Sequence, residues 1–534
     1  MNLHDENNLL KDEILTLQNM VFKLTNRVEE LEKCAKESNI LISYYEEQFK
    51  LSQKKKYGIS SEKSAYDQLS IASMDRLKDI EYTASNALLS SELVEVHHRK
   101  KKRPRVESFP KDIAVEEVVC ELSESEQSCP DCGSEMVNIG NECREELVVI
   151  PAKTMLRRYM ARTYACAYEE CGSLPERTHI KKAQWPNPVI KGSFASPESI
   201  AYTAHQKFAM GVPLYRQEQE WKRQGVLLSR QTMANWLIRS SNDWLEPILV
   251  ELKRRLLKCK VAHADETSLQ VLREAGKSPQ SKGYLWCYRT SGDATEPIVL
   301  AEYIPDRKHR NPAIFLEGYN GYLHTDGYDA YHKLPKEIIV VGCWAHVRRK
   351  WDDALKTVGI KYRENSTAMI GKRYCDKLFT VEREISEFDA TQRYVARLKN
   401  LKPLMDEFFA WLADAEILVL PKSLTGKAIA YMSSQQQYLK NVLLDGRLEL
   451  SNNRAERTIK PFVISRKNFL FANTTAGANA TATFFSLVET AKETGVNPYE
   501  YLTYVFKTAP NVDMNDPVNI EALLPHSYKN LRYS

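Results

Sequence analysis

The sequence predicts a multidomain protein of mixed α and β structure, and three observations support this. At 534 residues the chain is too long for one ordinary domain, so three or four folding units are expected. Hydrophobic residues make up 43% of the chain and charged residues 27%, which is typical of globular units with buried cores. Patterns typical of a coiled coil, a metal site, helices and strands occupy successive stretches, so each stretch is considered in order.

Residues 1–50 are predicted to form a coiled-coil helix. Leucines recur at an unbroken spacing of seven, and β-branched residues follow most of them by four. These leucines are Leu3, Leu10, Leu17, Leu24 and Leu31. Leucine at d with β-branched residues at a favours a parallel two-stranded coil, and Asn7 at an a position fixes register and partner number. An amphipathic helix on the protein's own core is the alternative, but five heptads in register favour a homodimer or higher homo-oligomer.

Residues 51–110 are predicted to be a linker that contains a basic arm. The run at 97–105 holds six Lys/Arg and no acid, although the whole chain has a net charge of only 75 − 70 = +5. A charge run is usually a solvated linker. This one is also dense enough to follow a phosphate backbone. Both interpretations stay open, because nothing in the run specifies a base.

Two pairs of cysteines predict a structural Zn²⁺ site within residues 111–190. The predicted ligands are Cys129, Cys132, Cys166 and Cys171. The first pair has the common two-residue spacing, whereas four residues separate the second pair. A glycine follows each pair and lets the backbone fold over a tetrahedral ion. Cys143 or Cys120 is an alternative for one of the four positions.

Residues 191–250 are predicted to form a helix-turn-helix-like DNA-binding region. Three helical stretches, at 197–209, 215–224 and 230–239, are separated by glycine-containing breaks. Outward-facing residues at the start of the third are Arg230, Gln231 and Thr232, and this is where the motif meets base edges. An ordinary three-helix bundle is the alternative. Six basic against two acidic residues over 205–239 favour contact with DNA.

Residues 251–345 and 445–495 are predicted to form a mixed α/β sheet of the ribonuclease H kind. The expected strands are 260–265, 284–290, 298–304, 322–326 and 338–343, with a helix at 311–317. Three consecutive strands, a crossover helix and two further strands describe such a sheet. Residues 346–444 are predicted to be a helical insertion, and 496–534 a C-terminal tail.

Three carboxylates are the candidate catalytic residues of this sheet. Asp265 and Asp326 each close a predicted strand, and Glu456 lies one turn into a predicted helix. Hard oxygen ligands suit Mg²⁺ or Mn²⁺, and ions held there activate water or a DNA 3′-hydroxyl and stabilise a leaving phosphodiester oxygen. Taken singly, such residues are more often turn formers or surface residues. Their position between candidate DNA-binding units favours catalysis.

The predicted helix that carries Glu456 also holds basic and amide side chains. Arg454 and Arg457 are expected to contact DNA phosphates and to lower the cost of holding carboxylates together. Asn452 and Asn453 are candidates for capping the helix. The chain starts without a secretory pattern and has no apolar run long enough for a bilayer, so a cytoplasmic location without membrane contact is expected.

Several motifs resemble the insertion-sequence sixty-six family of bacterial transposases, specifically its large DDE-type catalytic subunit. In chain order they are KYGISSEK, the Cys129/Cys132 knuckle, VPLYRQ, HADETSLQV, HTDGYDAY, CWAHVRRKW, SNNRAERTIKP and SLVETAKETGVNPYEYL. Together they cover nearly the whole chain. The resemblance implies Asp265, Asp326 and Glu456 as the DDE triad, a zinc-binding region, and a function in moving an element bounded by inverted repeats.

The resemblance also implies partners and further contacts. DNA is the expected partner, both as terminal inverted repeats and as target, together with companion proteins of the same element and a nucleoid-associated location. Arg348 and Arg349 match a family segment and are expected to contact DNA. His346 in that segment is expected either to steady the DNA or to be structural. The alternatives to a transposase are a non-catalytic DNA-binding regulator and a nuclease that does not join strands.

Overall fold

The computed structural model describes residues 154–165 and 180–533, together with Thr25, Val28 and Ile42, which are helical. Apart from these three positions, the predicted zipper and the linker with its basic arm lie outside the described residues. So do the four predicted zinc ligands, Cys129, Cys132, Cys166 and Cys171. Among the described residues, each helix is too short or too polar to span a membrane.

The chain divides into two compact units. In the unit formed by Ile59–Ala183, the described residues hold a two-stranded antiparallel sheet of β1 (Thr163–Ala165) and β2 (Ile180–Lys182). The other unit includes Gln184–Ser534 and contains all the remaining elements.

The larger unit begins with four helices. They are α1 (Pro197–Phe208), α2 (Leu214–Arg223), α3 (Arg230–Ser240) and, after a π-turn, α4 (Glu246–Leu256). Ser196 caps α1 in a capping box, and the Ser229 hydroxyl accepts the Thr232 N–H at 3.1 Å at the start of α3. Met233 and Trp236 are buried, as the apolar spacing of α3 predicts. The three helices expected between residues 197 and 239 are therefore present.

A mixed sheet follows. Its strands and short helices are β3 (Val261–Arg273), β4 (Lys282–Thr290), β5 (Val299–Ile304), α5 (Arg310–Phe315), β6 (Gly321–His324), α6 (Asp329–His332) and β7 (Ile338–Val341). The strand order is β5-β4-β3-β6-β7. Neighbours among β3, β4 and β5 are antiparallel, whereas β6 and β7 run parallel to β3. The observed architecture is thus mixed α and β.

The first strand of this sheet is longer than the sequence predicts. It does not end at Asp265 but continues to Arg273, because β4 pairs with it as far as Gln270 and β8 (Phe471–Thr474) takes over on the other edge. β6 pairs with β3 only as far as His263. Between its pairings with β6 and β8, the edge of β3 faces the helix Asn453–Phe469.

Helices separate the sheet from its last strand. They are α7 (Trp344–Leu355), α8 (Thr367–Glu384), α9 (Ala390–Ala396), α10 (Lys402–Ile417) and α11 (Leu424–Lys440). They pack around a core that includes Trp344, Trp351 and Phe408, and Val341 of β7 lies in the same core. The buried Arg397 guanidinium donates to the Val442 and Asp445 carbonyls at 3.3 and 3.0 Å. These bonds tie the helices to the segment that leads back to the sheet.

The chain ends in helices that cover the sheet. They are α12 (Asn453–Phe469), α13 (Thr475–Thr494), α14 (Pro498–Thr508), α15 (Pro517–Ala522) and α16 (Pro525–Tyr533). On α13, the Ser486 hydroxyl accepts the Ala301 N–H of β5 at 2.8 Å. The expected C-terminal tail is helical, and Leu502 and Phe506 lie in the same core as Ile200 of α1.

Candidate active site

Asp265 lies in the middle of β3, opposite Cys287 of β4. Its Oδ1 atom accepts the N–H of Glu266 at 2.9 Å. Burial raises the pKa of Asp265 well above its ordinary value, and the negative charges of Glu266, Asp326 and Glu456 raise it further. Asp326 and Glu456 therefore lie close enough to Asp265 for their charges to act on it.

Glu266 points to the opposite face of β3, as strand alternation requires. Its side chain is 1% exposed, and its carboxylate accepts the Arg307 Nε–H at 2.8 Å and the Tyr331 hydroxyl at 2.6 Å. Burial is the main cause that raises the pKa of Glu266, and the negative charge of Asp326 raises it further. The positive charge of Arg307 lowers it. Sequence reasoning missed Glu266 as a buried partner of the site. Its position beside Asp265 in an apolar strand was the available signal.

Asp326 follows β6, two residues beyond the last strand residue. Its Oδ1 atom accepts the Tyr328 N–H at 2.9 Å, which closes a turn of the Asx type. Gly327 lies against Tyr431 of α11, so that a Cβ there would stand 2.6 Å from the tyrosine hydroxyl. The turn that carries Asp326 thus contacts α11 directly.

Glu456 lies in the first turn of α12, as the sequence predicts. Its Oε2 atom accepts a hydrogen bond from Arg349 of α7 at 3.2 Å, and its Oε1 atom is 3.6 Å from His346 Nδ1. The side chain is 15% exposed. Burial is the main cause that lowers the pKa of His346 to about 4, and the positive charge of Arg349 contributes to the decrease. Two residues of the CWAHVRRKW segment therefore meet the third carboxylate.

The start of α12 is fixed by Asn452, though not in the way the sequence predicts. Its side chain makes no capping bond. Instead Nδ2 donates to the Ala264 carbonyl at 2.8 Å, and Oδ1 lies 2.9 Å from His263 Nδ1. Asn452 thus occupies the N-cap position, as predicted, but its side chain bonds the buried β3 edge and not the N–H groups of the helix.

Two buried histidines support this arrangement. His263 and His324 are opposite one another on β3 and β6, and their rings stack at 4.5 Å. His324 Nε2 accepts the Glu449 N–H at 3.1 Å. Burial lowers the pKa of His263 to about 3 and also lowers the pKa of His324. Both rings are therefore neutral, and sequence reasoning did not assign them a role.

The residues predicted to contact DNA lie in several places. Arg230 and Gln231 are exposed at the start of α3, and Thr232 is partly buried and lies 2.9 Å from the Ser229 hydroxyl. The Arg230 guanidinium stands 5.5 Å from the ring centre of Tyr215. A side chain at this end of α3 thus faces solvent, which the predicted contact with base edges requires.

The predicted arginines near the carboxylates differ in their contacts. Arg348 donates to Asp376 of α8 at 2.6 Å, so it joins α7 to α8. Arg454 donates to Glu449 at 2.6 Å and is partly exposed, whereas Arg457 is exposed. The structure therefore brings Arg349 to the carboxylates and engages Arg348 elsewhere.

Comparison with known families matches most of the chain. The family described as "Transposase IS66 family" matches residues 192–480, and "IS66 C-terminal element" matches 486–526. The "zinc-finger binding domain of transposase IS66" matches 126–168, and "Transposase C of IS166 homeodomain" matches 44–118. The first match alone spans more than half of the 534 residues.

Relatives of comparable length occur in Sinorhizobium fredii (strain NBRC 101917 / NGR234). "Uncharacterized protein y4qI" is 31% identical over 423 residues, which cover 77% of this chain and 75% of that protein. "Uncharacterized protein y4jD" is 28% identical over 447 residues, or 81% and 84% of the two chains. "Uncharacterized protein y4hP" is 27% identical over 424 residues, or 76% and 74%.

Proposed function

The chain belongs to the IS66 family of transposases, and on that premise we propose that it binds the ends of an insertion sequence and catalyses DNA cleavage and strand transfer. The family confirms the resemblance seen in the sequence motifs. It supports a DNA-binding transposase, and the match to a zinc-finger domain supports bound Zn²⁺. The chemistry and its residues are the proposal developed below.

The sheet supports a ribonuclease H-like catalytic core. Its order β5-β4-β3-β6-β7 places three antiparallel strands beside two parallel ones, and the sequence predicted a mixed sheet of three strands, a helix and two further strands. Asp265 comes from the central strand, and Asp326 follows the strand beside it. α12 lies along the β3 edge between β6 and β8 and carries Glu456. The proposed insertion then consists of the helices α7 to α11.

The observation that supports the proposal is the effect of the other two carboxylates on Asp265. The charges of Asp326 and Glu456 both raise the pKa of Asp265, although the residues come from three distant parts of the sequence. Such crowding disfavours the ionised form of a carboxylate unless a cation offsets it. Oxygen donors of this type fit Mg²⁺ or Mn²⁺. When bound, the ion would supply activation of the attacking hydroxyl and stabilisation of the leaving oxygen.

The neighbouring side chains position this set. Asn452 bonds the start of α12 to Ala264, the residue before Asp265. This bond fixes the position of Glu456 along β3. Arg349 neutralises one oxygen of Glu456 and offers a positive charge beside the proposed DNA phosphate. The Asx turn orients Asp326. These contacts hold the carboxylates before substrate arrives, which lowers the reorganisation needed for reaction.

The remaining parts of the proposal concern DNA and assembly. The exposed start of α3, with Arg230, Gln231 and Thr232, is proposed to contact the terminal repeats. Arg454 and Arg457 are proposed to contact phosphates. Pairing through residues 1–50 would bring two element ends to one target, and tethering raises their effective concentration. Companion proteins of the element are proposed as further partners.

A plasmid integration assay tests the function. Purified full-length protein is mixed with Mg²⁺, a pre-cut oligonucleotide carrying an element end, and supercoiled plasmid. Asp265→Asn, Asp326→Asn and Glu456→Gln should each abolish joining while end binding in a gel-shift assay persists. Asp329→Asn is the matched control, because Asp329 is exposed near Asp326 and pairs with Lys333 on the surface.

The outcomes separate the alternatives. Joined product with wild type and the control, but not with the carboxylate variants, supports the transposase. Nicked plasmid without joined product would favour a nuclease. End binding without either product, with and without candidate companion proteins, would favour a regulator. Retained strand transfer in one variant would remove that residue from the catalytic set.

A further inference from the structure

One cluster of metal-ligating side chains differs in chemistry from the three carboxylates. It consists of Cys343, His346 and Glu456. We propose that these residues form a binding site for a divalent transition metal of the zinc class, held by one thiolate, one imidazole and one carboxylate. None of these residues is among the four cysteines predicted to bind zinc, Cys129, Cys132, Cys166 and Cys171.

The geometry is close to that of a bound ion. One ligand atom from each of Cys343, His346 and Glu456 lies within 4.8 Å of the ligand atoms of the other two. His346 Nδ1 and Glu456 Oε1 are 3.6 Å apart. Donors about 2.0–2.1 Å from a tetrahedral Zn²⁺ stand roughly 3.4 Å apart, and a sulfur at about 2.3 Å stands slightly farther from them. The oxygen and nitrogen thus already stand close to the spacing of two ligands of one ion, and the sulfur lies within 4.8 Å of its partners.

Two of the three donor atoms also have unused bonding capacity. His346 Nδ1 and Glu456 Oε1 are buried atoms for which the described part of the chain supplies no hydrogen-bond partner. Buried polar atoms are rarely left in this state, because each costs about 1–3 kcal/mol. Arg349 occupies the other oxygen of Glu456, Oε2, and leaves Oε1 directed at the histidine. An ion between them would satisfy both atoms.

The backbone around the cluster is already fixed. Cys343 directly precedes α7, and His346 lies in the first turn of that helix. The Asn452 N–H donates to Cys343 Sγ at 3.1 Å, and the Trp344 N–H donates to the Leu450 carbonyl at 3.1 Å. The start of α7 is thereby held against the segment that leads into α12. Ligands from two anchored segments need little ordering when a metal binds.

The donor set selects the class of metal. Mg²⁺ prefers oxygen ligands and retains its waters, whereas Zn²⁺ and Co²⁺ accept thiolate and imidazole. Three protein ligands leave the fourth position of a tetrahedral ion for water. Glu456 also belongs to the carboxylate set of the proposed function, and on that function a zinc-class ion here would withdraw Glu456 and inhibit strand transfer.

Co²⁺ binding to the full-length chain tests the site without DNA or Mg²⁺. Co²⁺ bound through a thiolate gives a sulfur-to-metal absorption band, and the total bound ion is measured by equilibrium dialysis. Cys343→Ser and His346→Ala should each bind one Co²⁺ fewer per chain than wild type, or bind it at least about 10-fold more weakly. Cys375→Ser is the matched control, because Cys375 is equally buried but lies in α8 outside the cluster.

The measured quantity is the difference in bound Co²⁺ per chain between wild type and each variant. Any ion held by the predicted zinc finger is present in all of them and does not affect this difference. Equal Co²⁺ content in wild type, both cluster variants and the control would overturn the proposal. Displacement of the cluster's Co²⁺ by excess Mg²⁺ would overturn the assigned metal class. Melting curves verify folding, and the partly accessible His346 position gives a second variant should Cys343→Ser unfold. Because no DNA is present, the outcome is independent of whether the chain joins strands.

Discussion

The Nδ2 atom of Asn452 donates a 2.8 Å hydrogen bond to the carbonyl of Ala264, the residue that directly precedes Asp265. The Oδ1 atom of the same side chain lies 2.9 Å from His263 Nδ1. One amide thus joins the first turn of the Glu456 helix to the strand of Asp265. The relation suggests that the distance between these two carboxylates depends on a residue that is not itself a carboxylate.

Asn452→Ala should therefore lose both stability and activity. The substitution leaves the Ala264 carbonyl and one His263 nitrogen buried without this partner, at about 1–3 kcal/mol each. The free energy of unfolding in urea should fall by roughly 2–6 kcal/mol, and strand transfer should fall more steeply than end binding. Asn453→Ala, one residue later on α12, is the control. Unchanged strand transfer in folded Asn452→Ala would show that the amide does not set the site.

Gly327→Ala tests the contact between the Asp326 turn and Tyr431 of α11. The added Cβ would stand 2.6 Å from the Tyr431 hydroxyl and 2.7 Å from its ring, so the turn or the helix must shift. Overpacking of this kind costs about 1–3 kcal/mol. Strand transfer should drop in the single variant and recover partly when Tyr431→Ala is added. A double-mutant cycle measures this recovery, and additive effects would argue against the contact.

Asp265→Asn should stabilise the protein while abolishing strand transfer. Burial and three neighbouring negative charges raise the folded-state pKa of Asp265, so its ionised form opposes folding at pH 7. The variant should therefore unfold at a higher urea concentration than wild type at pH 7. The difference should vanish below the ordinary aspartate pKa of about 3.9, where both states carry the proton. A lower midpoint for Asp265→Asn at pH 7 would contradict this account.

Local patterns predicted helices α1 to α3 and the Ser229 cap, because spacing and capping act within a few residues. The continuation of β3 past Asp265 was not predictable in the same way. It depends on pairing with β4 and with β8, and β8 lies about two hundred positions away along the chain. The role of Asn452 was not predictable for the same reason. Its amide bonds Ala264 of β3, which is distant in sequence and close only in the folded chain.

The two neighbouring arginines of α7 should behave differently when replaced. Arg348 donates to Asp376, and its side chain is 16% exposed, so Arg348→Ala should mainly lower stability, by about 1–3 kcal/mol. Arg349 donates to Glu456 instead, so Arg349→Ala should mainly lower strand transfer at equal stability. Urea unfolding and plasmid integration, measured on both variants, separate these effects. Equal loss of end binding in both would instead support the prediction that both contact DNA.

The buried histidine pair makes stability depend on pH. The folded-state pKa of His263 is lowered to about 3 by burial, whereas an unfolded histidine titrates near 6.5. The unfolded state therefore binds the extra proton first as pH falls. Stability that is present above about pH 6.5 is lost progressively toward pH 3, by roughly 2 kcal/mol at pH 5 for this one histidine.

Comparison with His263→Gln isolates that contribution, because a glutamine amide can still donate to Asn452 and carries no proton in this range. Carboxylates with raised pKa values, such as those of Asp265 and Glu266, change stability in the opposite direction as pH falls. These carboxylates are present in both wild type and His263→Gln. The difference between their free energies of unfolding in urea, measured at each pH, therefore gives the contribution of His263. The wild type should lose stability relative to the variant between pH 7 and pH 5. Parallel titrations would mean that His263 already takes up its proton in the folded protein.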